Sequence, residues 1–156
     1  MCMQHGFTML ELMIVLAILG VMLVIAVPAF SEWREHSAVN NATNSLFVRL
    51  KQARALAVAE SRDVKVFYDT ANAAFIFDYN DGTCDTKVCK HLEMDLSKFS
   101  KNLVLTTNAT TITFNRKGTA TNSTTKIASG NYYKCVVVNI IGRAYISNAA
   151  ATCTVP

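Results

Sequence analysis

Phe7 to Phe30 reads FTMLELMIVLAILGVMLVIAVPAF, 24 residues with a single charge, Glu11. As a helix this stretch would run about 36 Å, enough to cross a hydrocarbon core of roughly 30 Å. No other part of the 156-residue chain is comparably apolar. A cleaved secretory signal would begin with a basic segment, carry a shorter apolar core and end at a small-residue site. Here Met1 to Gly6 holds no Lys or Arg, and the run continues without a loop into Ser31-Glu32-Trp33-Arg34-Glu35, which reads as more helix. A plain membrane anchor leaves Glu11 unexplained. A charge at mid-bilayer costs roughly 2.5–3.5 kcal/mol, less near the end of a span. A lone acid in such a segment points to a functional site that needs a partner.

Gly6-Phe7-Thr8-Met9-Leu10-Glu11-Leu12 resembles the processing motif of type IV pilins and type II secretion pseudopilins. The resemblance implies cleavage after Gly6 by a membrane peptidase, N-methylation of the new terminus Phe7, and an assembly role for Glu11, the fifth mature residue. Pro28 also falls at the family's spacing. The leader departs from the pattern in lacking a basic residue. The chemistry fits. Cleavage before Phe7 creates a cationic amine one helical turn from an acceptor-only carboxylate. In a bundle of such helices Glu11 would pair with the Phe7 amine of a neighbouring subunit, fixing register where either charge alone is costly.

Beyond Pro28 the helical pattern resumes. Val39, Ala42, Leu46, Leu50, Ala53 and Ala57 recur every three or four residues, with Arg49, Lys51, Gln52 and Arg54 off that stripe. Pro28 is therefore expected to kink the helix without ending it, and the end is expected near Glu60–Arg62. From Val64 the period becomes two. Val64–Tyr68 and Ala74–Tyr79 read as a hairpin, and Asn80-Asp81-Gly82 as a stop. Residues 80–101 read as a loop region with a short helix around Leu92–Phe99. Leu103–Thr107, Thr111–Asn115, Thr125–Ala128, Tyr133–Ile141 and Ala144–Ser147 read as further strands. The sum is an α+β, pilin-like plan, a long helix packed on an antiparallel β-rich domain. Its parts are a cleaved leader (1–6), a transmembrane and assembly helix (7–30), an amphipathic continuation (31–62) and a globular domain (63–156).

Phe47–Val66, Ile112–Ala120 and Val136–Tyr145 are similar to the FimT/FimU/GspH group of minor pilins and pseudopilins. Membership implies a structural subunit that primes or caps assembly at or near a filament tip. Its implied partners are other pilin subunits, the prepilin peptidase, an inner-membrane assembly platform and the membrane itself before assembly. The implied location is the bacterial inner membrane with the globular domain in the periplasm, then the pilus surface. The pseudopilin alternative has the same architecture in a type II secretion system.

The net charge of +4 is unevenly spread. Residues 1–95 hold 8 basic and 11 acidic side chains, whereas residues 96–156 hold seven basic and no acidic ones. A wholly basic C-terminal third suggests a polyanionic partner or an acidic neighbouring surface. In FimT-like proteins a Gly-Arg-Xaa-Arg motif is implied to contact DNA during uptake for natural transformation. The matching residues are Gly142-Arg143-Ala144-Tyr145, with Tyr in place of the second Arg. Arg143 is suited to a phosphate and Tyr145 to stacking on a base in a single strand, the implied partner being double- or single-stranded DNA. Lys134, Lys126, Arg116 and Lys117 would extend the patch. The competing reading is a solvated face.

Cys2 lies in the leader. Cys84, Cys89, Cys135 and Cys153 remain, an even number in an exported domain, so disulfides are expected. Of three connectivities, Cys84–Cys89 with Cys135–Cys153 is favoured. Cys84, Cys89 and His91 lack a fourth metal ligand, and Asp78–Gly82 fits a turn better than a calcium loop. No catalytic constellation, metal site or cofactor motif is read, and the chain is expected to be a substrate of an enzyme, not an enzyme.

Overall fold

The computed structural model describes residues 8–69, 72–78, 92–149 and 153, with the side chains of 25–29 excepted. Gly6, Phe7, Tyr79–Gly82, Cys84, Cys89, His91 and the Pro28 side chain therefore lie outside the described residues. The chain divides into two units, residues 1–34 and 35–156, and one helix, α1 (Met9–Ala59), contributes to both.

Thr8 starts α1. Its hydroxyl accepts the Glu11 backbone N–H at 3.2 Å, and its carbonyl accepts the Leu12 N–H at 3.2 Å. Thr8-Met9-Leu10-Glu11 thus has the spacing of a capping box, and Glu11 stands in the first turn, where the helix dipole favours an acid. The helix runs on through Pro28, as its flanking pattern predicts. It stops at Ala59, a little before the expected 60–62. The Arg62 N–H reaches the Ala57 carbonyl and the Ser61 N–H the Val58 carbonyl, with Ser61 in the left-handed region at φ 52°. This is a Schellman cap built on serine.

In the second unit every member of the predicted stripe is buried: Val39, Ala42, Leu46, Leu50, Ala53 and Ala57 are at most 1% exposed. The stripe joins one core with residues of two antiparallel sheets. The first has the order β3-β2-β1-β5, made of β1 (Val64–Asp69), β2 (Ala74–Asp78), β3 (Leu92–Asp95) and β5 (Thr111–Phe114). The second has the order β4-β6-β7-β8, made of β4 (Val104–Thr107), β6 (Ser123–Ser129), β7 (Tyr132–Val138) and β8 (Ala144–Ser147). Phe75 and Phe77 of β2, Phe114 of β5, and Val136 and Val138 of β7 fill the space between.

Two predicted elements are corrected. The short helix around Leu92–Phe99 is a strand followed by one 3₁₀ turn, Leu96–Lys98. Leu92 and Met94 sit opposite Phe77 and Phe75, so pairing along the edge of the first sheet overrides the local preference. Asp95 ends that strand by capping the turn. Its carboxylate accepts the Ser97 N–H at 2.8 Å, and hydrogen bonds from Ser97 hold its pKa below the ordinary carboxylate value. The strand predicted over Tyr133–Ile141 ends at Val138. Asn139 accepts the Arg143 N–H on its side chain at 2.8 Å and opens a turn that leaves Ile140 and Ile141 exposed. Cys135 and Cys153 form the expected disulfide, across an 18-residue separation.

Candidate functional site

The first candidate site is the start of α1. From Met9 to Val24 the large apolar side chains are exposed, Met9 by 84% and Val24 by 76%. Glu11 stands among them, one turn into the helix. Such a surface is costly in water and is suited to lipid or to neighbouring apolar helices. Among the described residues no helix is long and apolar enough to cross a membrane. The continuously described apolar side chains, residues 8–24, would span only about 25 Å as a helix, short of a hydrocarbon core of roughly 30 Å.

The second candidate site lies in the second unit, where the C-terminal half of α1 meets two turns. The β5–β6 turn carries Lys117 and Gly118, and the β7–β8 turn carries Gly142 and Arg143. Both glycines need positive φ, 80° and 75°. The turns touch backbone to backbone, since a Cβ on Gly142 would stand 1.9 Å from the Gly118 carbonyl oxygen. Arg54 bridges them. Its Nε donates to the Gly118 carbonyl at 3.0 Å, and its Nη2 to the Ile141 carbonyl at 3.2 Å.

Around this junction runs an open groove of about 920 Å³. Phe47, Ala55, Val58 and Ala59 make its apolar part. Lys51, Arg54, Lys117 and Arg143 make its cationic part, with Tyr145 beside them, and none of the described residues that line it is Asp or Glu. Lys51 Nζ lies 4.5 Å from the centre of the Phe47 ring, a cation–π geometry. A second hollow of about 550 Å³ takes in Arg62, Asp63, Arg116 and, again, Lys117. There the Arg116 N–H donates to Asp63 Oδ1 at 3.2 Å, and the Arg62 guanidinium pairs with Glu60.

The six residues picked out as DNA-contact candidates are therefore not one patch. Arg143, Tyr145 and Lys117 share the groove, and Arg116 joins through Lys117. Lys126 and Lys134 line neither hollow. In the β6–β7 register Lys126 faces Cys135 and Lys134 faces Ile127, one position apart, so the two lysines sit on opposite faces of the sheet. Lys126 Nζ instead lies 4.5 Å from the Tyr133 ring centre. Two groove cations come from α1, Lys51 and Arg54. Reading the charge by chain position missed them, because they fall in the net-acidic part. Their signal was the helical period, which puts them one turn apart beside the stripe.

Other side chains serve the structure. The Tyr132 hydroxyl donates to Asn40 Oδ1 at 3.1 Å, and His36 stacks on the Tyr132 ring at 4.0 Å. Among the described residues no group of three or more His, Cys, Asp and Glu is placed to hold a metal.

Comparison with known proteins places the chain. Residues 1–27 match the prokaryotic N-terminal methylation motif, and residues 42–142, more than half of the chain, match the family Type II transport protein GspH. A fimbrial protein of Pseudomonas aeruginosa is 36% identical over 61 residues, and the fimbrial protein EcpC of Eikenella corrodens is 46% identical over 41. These matches cover 39% and 26% of this chain, and the chain spans only 39% and 27% of the two relatives' lengths. In fold the chain resembles the type IV minor pilin FimU of P. aeruginosa, with a TM-score of 0.63 over 78% of this chain and 99% of that one, at 17% identity. It also resembles the minor pseudopilin EpsH from the type 2 secretion system of Vibrio cholerae, with a TM-score of 0.57 over 70% and 95%, at 17% identity.

Proposed function

This chain belongs to the Type II transport protein GspH family, and we propose that it works as a minor type IV pilin that polymerises through the start of its long helix. Pilins and pseudopilins are structural subunits, not enzymes. In this reading a prepilin peptidase cuts after Gly6 and Phe7 is methylated. Residues 7–30 hold the subunit in the inner membrane with its β-domain in the periplasm. The assembly platform then draws the subunit into a filament. The observation that carries the proposal is the methylation motif followed by a helix whose apolar side chains are exposed around a single acid. Glu11 pairs with the Phe7 amine of the adjacent subunit, which removes two isolated charges from an apolar bundle and sets the axial step.

Glu11→Ala tests this. The variant is expected to be cleaved and to stay in the membrane fraction, and to be missing from filaments sheared off the cells. Normal incorporation would overturn the assembly role. The GspH match and the likeness to EpsH favour a second reading, a minor pseudopilin of a type II secretion system. Complementation of a deletion strain decides between the two, by restoring either pili or secretion.

A finer role is contact with DNA on a transformation pilus. Its support is the grouping of Arg143, Lys117, Lys51 and Arg54 in one groove whose described lining residues include no carboxylate. A handful of phosphate contacts gives weak binding that is indifferent to sequence and falls steeply with salt. Arg143→Ala is expected to weaken binding of mixed-sequence duplex DNA. Undiminished binding, or binding insensitive to salt, would remove Arg143 from the site.

A further inference from the structure

The two basic hollows share Lys117, and two further exposed cations of the groove sit elsewhere, Arg143 on a different turn and Lys51 on α1. The two turns are joined by one backbone bond, from the Ala120 N–H to the Ile140 carbonyl at 3.1 Å, and by Arg54, which adds two donors to the carbonyls of Gly118 and Ile141, one beside Lys117 and one just before Gly142-Arg143. The backbones are packed so closely there that no side chain fits at Gly142.

We propose that Arg54 is the positioning residue of this surface. It holds the Lys117 turn against the Arg143 turn and so makes one continuous anion track that runs from Lys51 and Arg143, through Lys117, to Arg116. The proposal deepens the DNA reading and rests on it for the identity of the ligand, a phosphodiester polymer. Lys126 and Lys134 are outside the track despite lying in the basic third of the chain. Two features favour a nucleic acid over an acidic protein segment. The cations follow one another across two hollows, as the charges of a regular polyanion do. The apolar groove wall and Tyr145 offer contact to sugars alongside the phosphates.

The chemistry of the clamp separates position from charge. The guanidinium is a planar fork that reaches two carbonyls at once, whereas a lysine ammonium is a point charge that cannot reproduce the fork. Arg54→Lys therefore keeps the field of the groove and removes the clamp.

The test uses the full chain in detergent and a fluorescent mixed-sequence duplex, titrated at several salt concentrations. Arg54→Lys is expected to bind about tenfold more weakly, with the slope of log affinity against log salt reduced by about one, because Lys117 and Arg143 no longer engage phosphates together. Arg143→Ala should cost less in the Arg54→Lys background than in the native chain. Lys126→Ala and Lys134→Ala should leave the slope unchanged. Native-like affinity and slope for Arg54→Lys would overturn the positioning role, as would an undiminished cost of Arg143→Ala. Stronger binding to polyglutamate than to DNA would overturn the ligand class. A ligand-free readout keeps the clamp testable if the native chain does not bind DNA at all. Amide exchange at Gly118 and Gly142 should speed up in Arg54→Lys, and unchanged exchange would rule the clamp out. The first failure would sink the DNA reading, and the second would sink the clamp.

Discussion

Single residues decide how the basic groove is built, and glycine and arginine do most of it. Gly142 has φ 75°, and a Cβ there would collide with the Gly118 carbonyl. Gly142→Ala must therefore take up a disfavoured backbone conformation and also part the two turns. It is expected to lower stability by about 3 kcal/mol, read from chemical denaturation of the full chain in detergent. Gly130 is the contrast. It too has positive φ, at 56°, but an added Cβ would meet only the end of the Glu35 side chain, at 3.3 Å. Gly130→Ala should cost about 1 kcal/mol, the backbone part alone. The identity of Gly142-Arg143 as a candidate site was legible in the chain as a short motif. The reason for its glycine was not, because Gly118, which it touches, is 24 residues earlier. Arg54 was likewise visible only as a polar residue beside an apolar stripe. Its two acceptors are backbone carbonyls, which carry no signature in side-chain identity.

At the scale of elements, every residue read into the α1 stripe is buried, with Ala38 and Thr43 joining them, because the period of 3.6 is a property of the helix itself. The end of the helix illustrates a local choice that costs stability. Ser61 occupies the left-handed position of the Schellman cap, where glycine is the usual residue. Ser61→Gly is expected to raise the unfolding free energy by about 0.5–1 kcal/mol, measured as a higher denaturation midpoint with an unchanged slope. The helix expected around Leu92–Phe99 failed for the opposite reason. Leu92, Met94 and Leu96 alternate as a strand does. Met94 and Leu96 are buried, and β3 is completed by partners on β2, from Phe77 opposite Leu92 to Ala74 opposite Asp95, that lie 15 to 21 residues upstream. The start of α1 held a missed signal, since Thr8 caps the helix by accepting the Glu11 backbone N–H and Thr8-Met9-Leu10-Glu11 has the spacing of a capping box. Glu11 also stands in the first turn, where the helix dipole favours an acid, besides the role proposed for it in assembly.

For the whole molecule, the C-terminal segment is tied to the second sheet by Cys135–Cys153. Closing a loop of that length in the unfolded chain is worth about 3 kcal/mol by the chain-entropy model. Reduction by dithiothreitol should lower the melting temperature of the β-domain transition, and Cys153→Ser should reproduce that shift and abolish any further effect of the reductant. A melting temperature indifferent to reductant would show that the tail is held by packing instead. The sequence alone determined the helix, its apolar first half, its buried stripe and the antiparallel β-domain, while it left three ways of pairing four cysteines, of which the structure shows Cys135–Cys153. Each of the features it determined is written in a short-range period or in the lone charge of an apolar run. Tertiary structure alone decided the two sheet orders, the strand nature of Leu92–Asp95 and the membership of the groove. Those depend on which residues far apart in the chain come to share a face or a turn. Charge counted along the chain grouped Lys126 and Lys134 with Arg143. Charge placed in space removes them and substitutes Lys51 and Arg54 from the helix, because side chains that alternate across a strand point away from each other and side chains one helical turn apart do not.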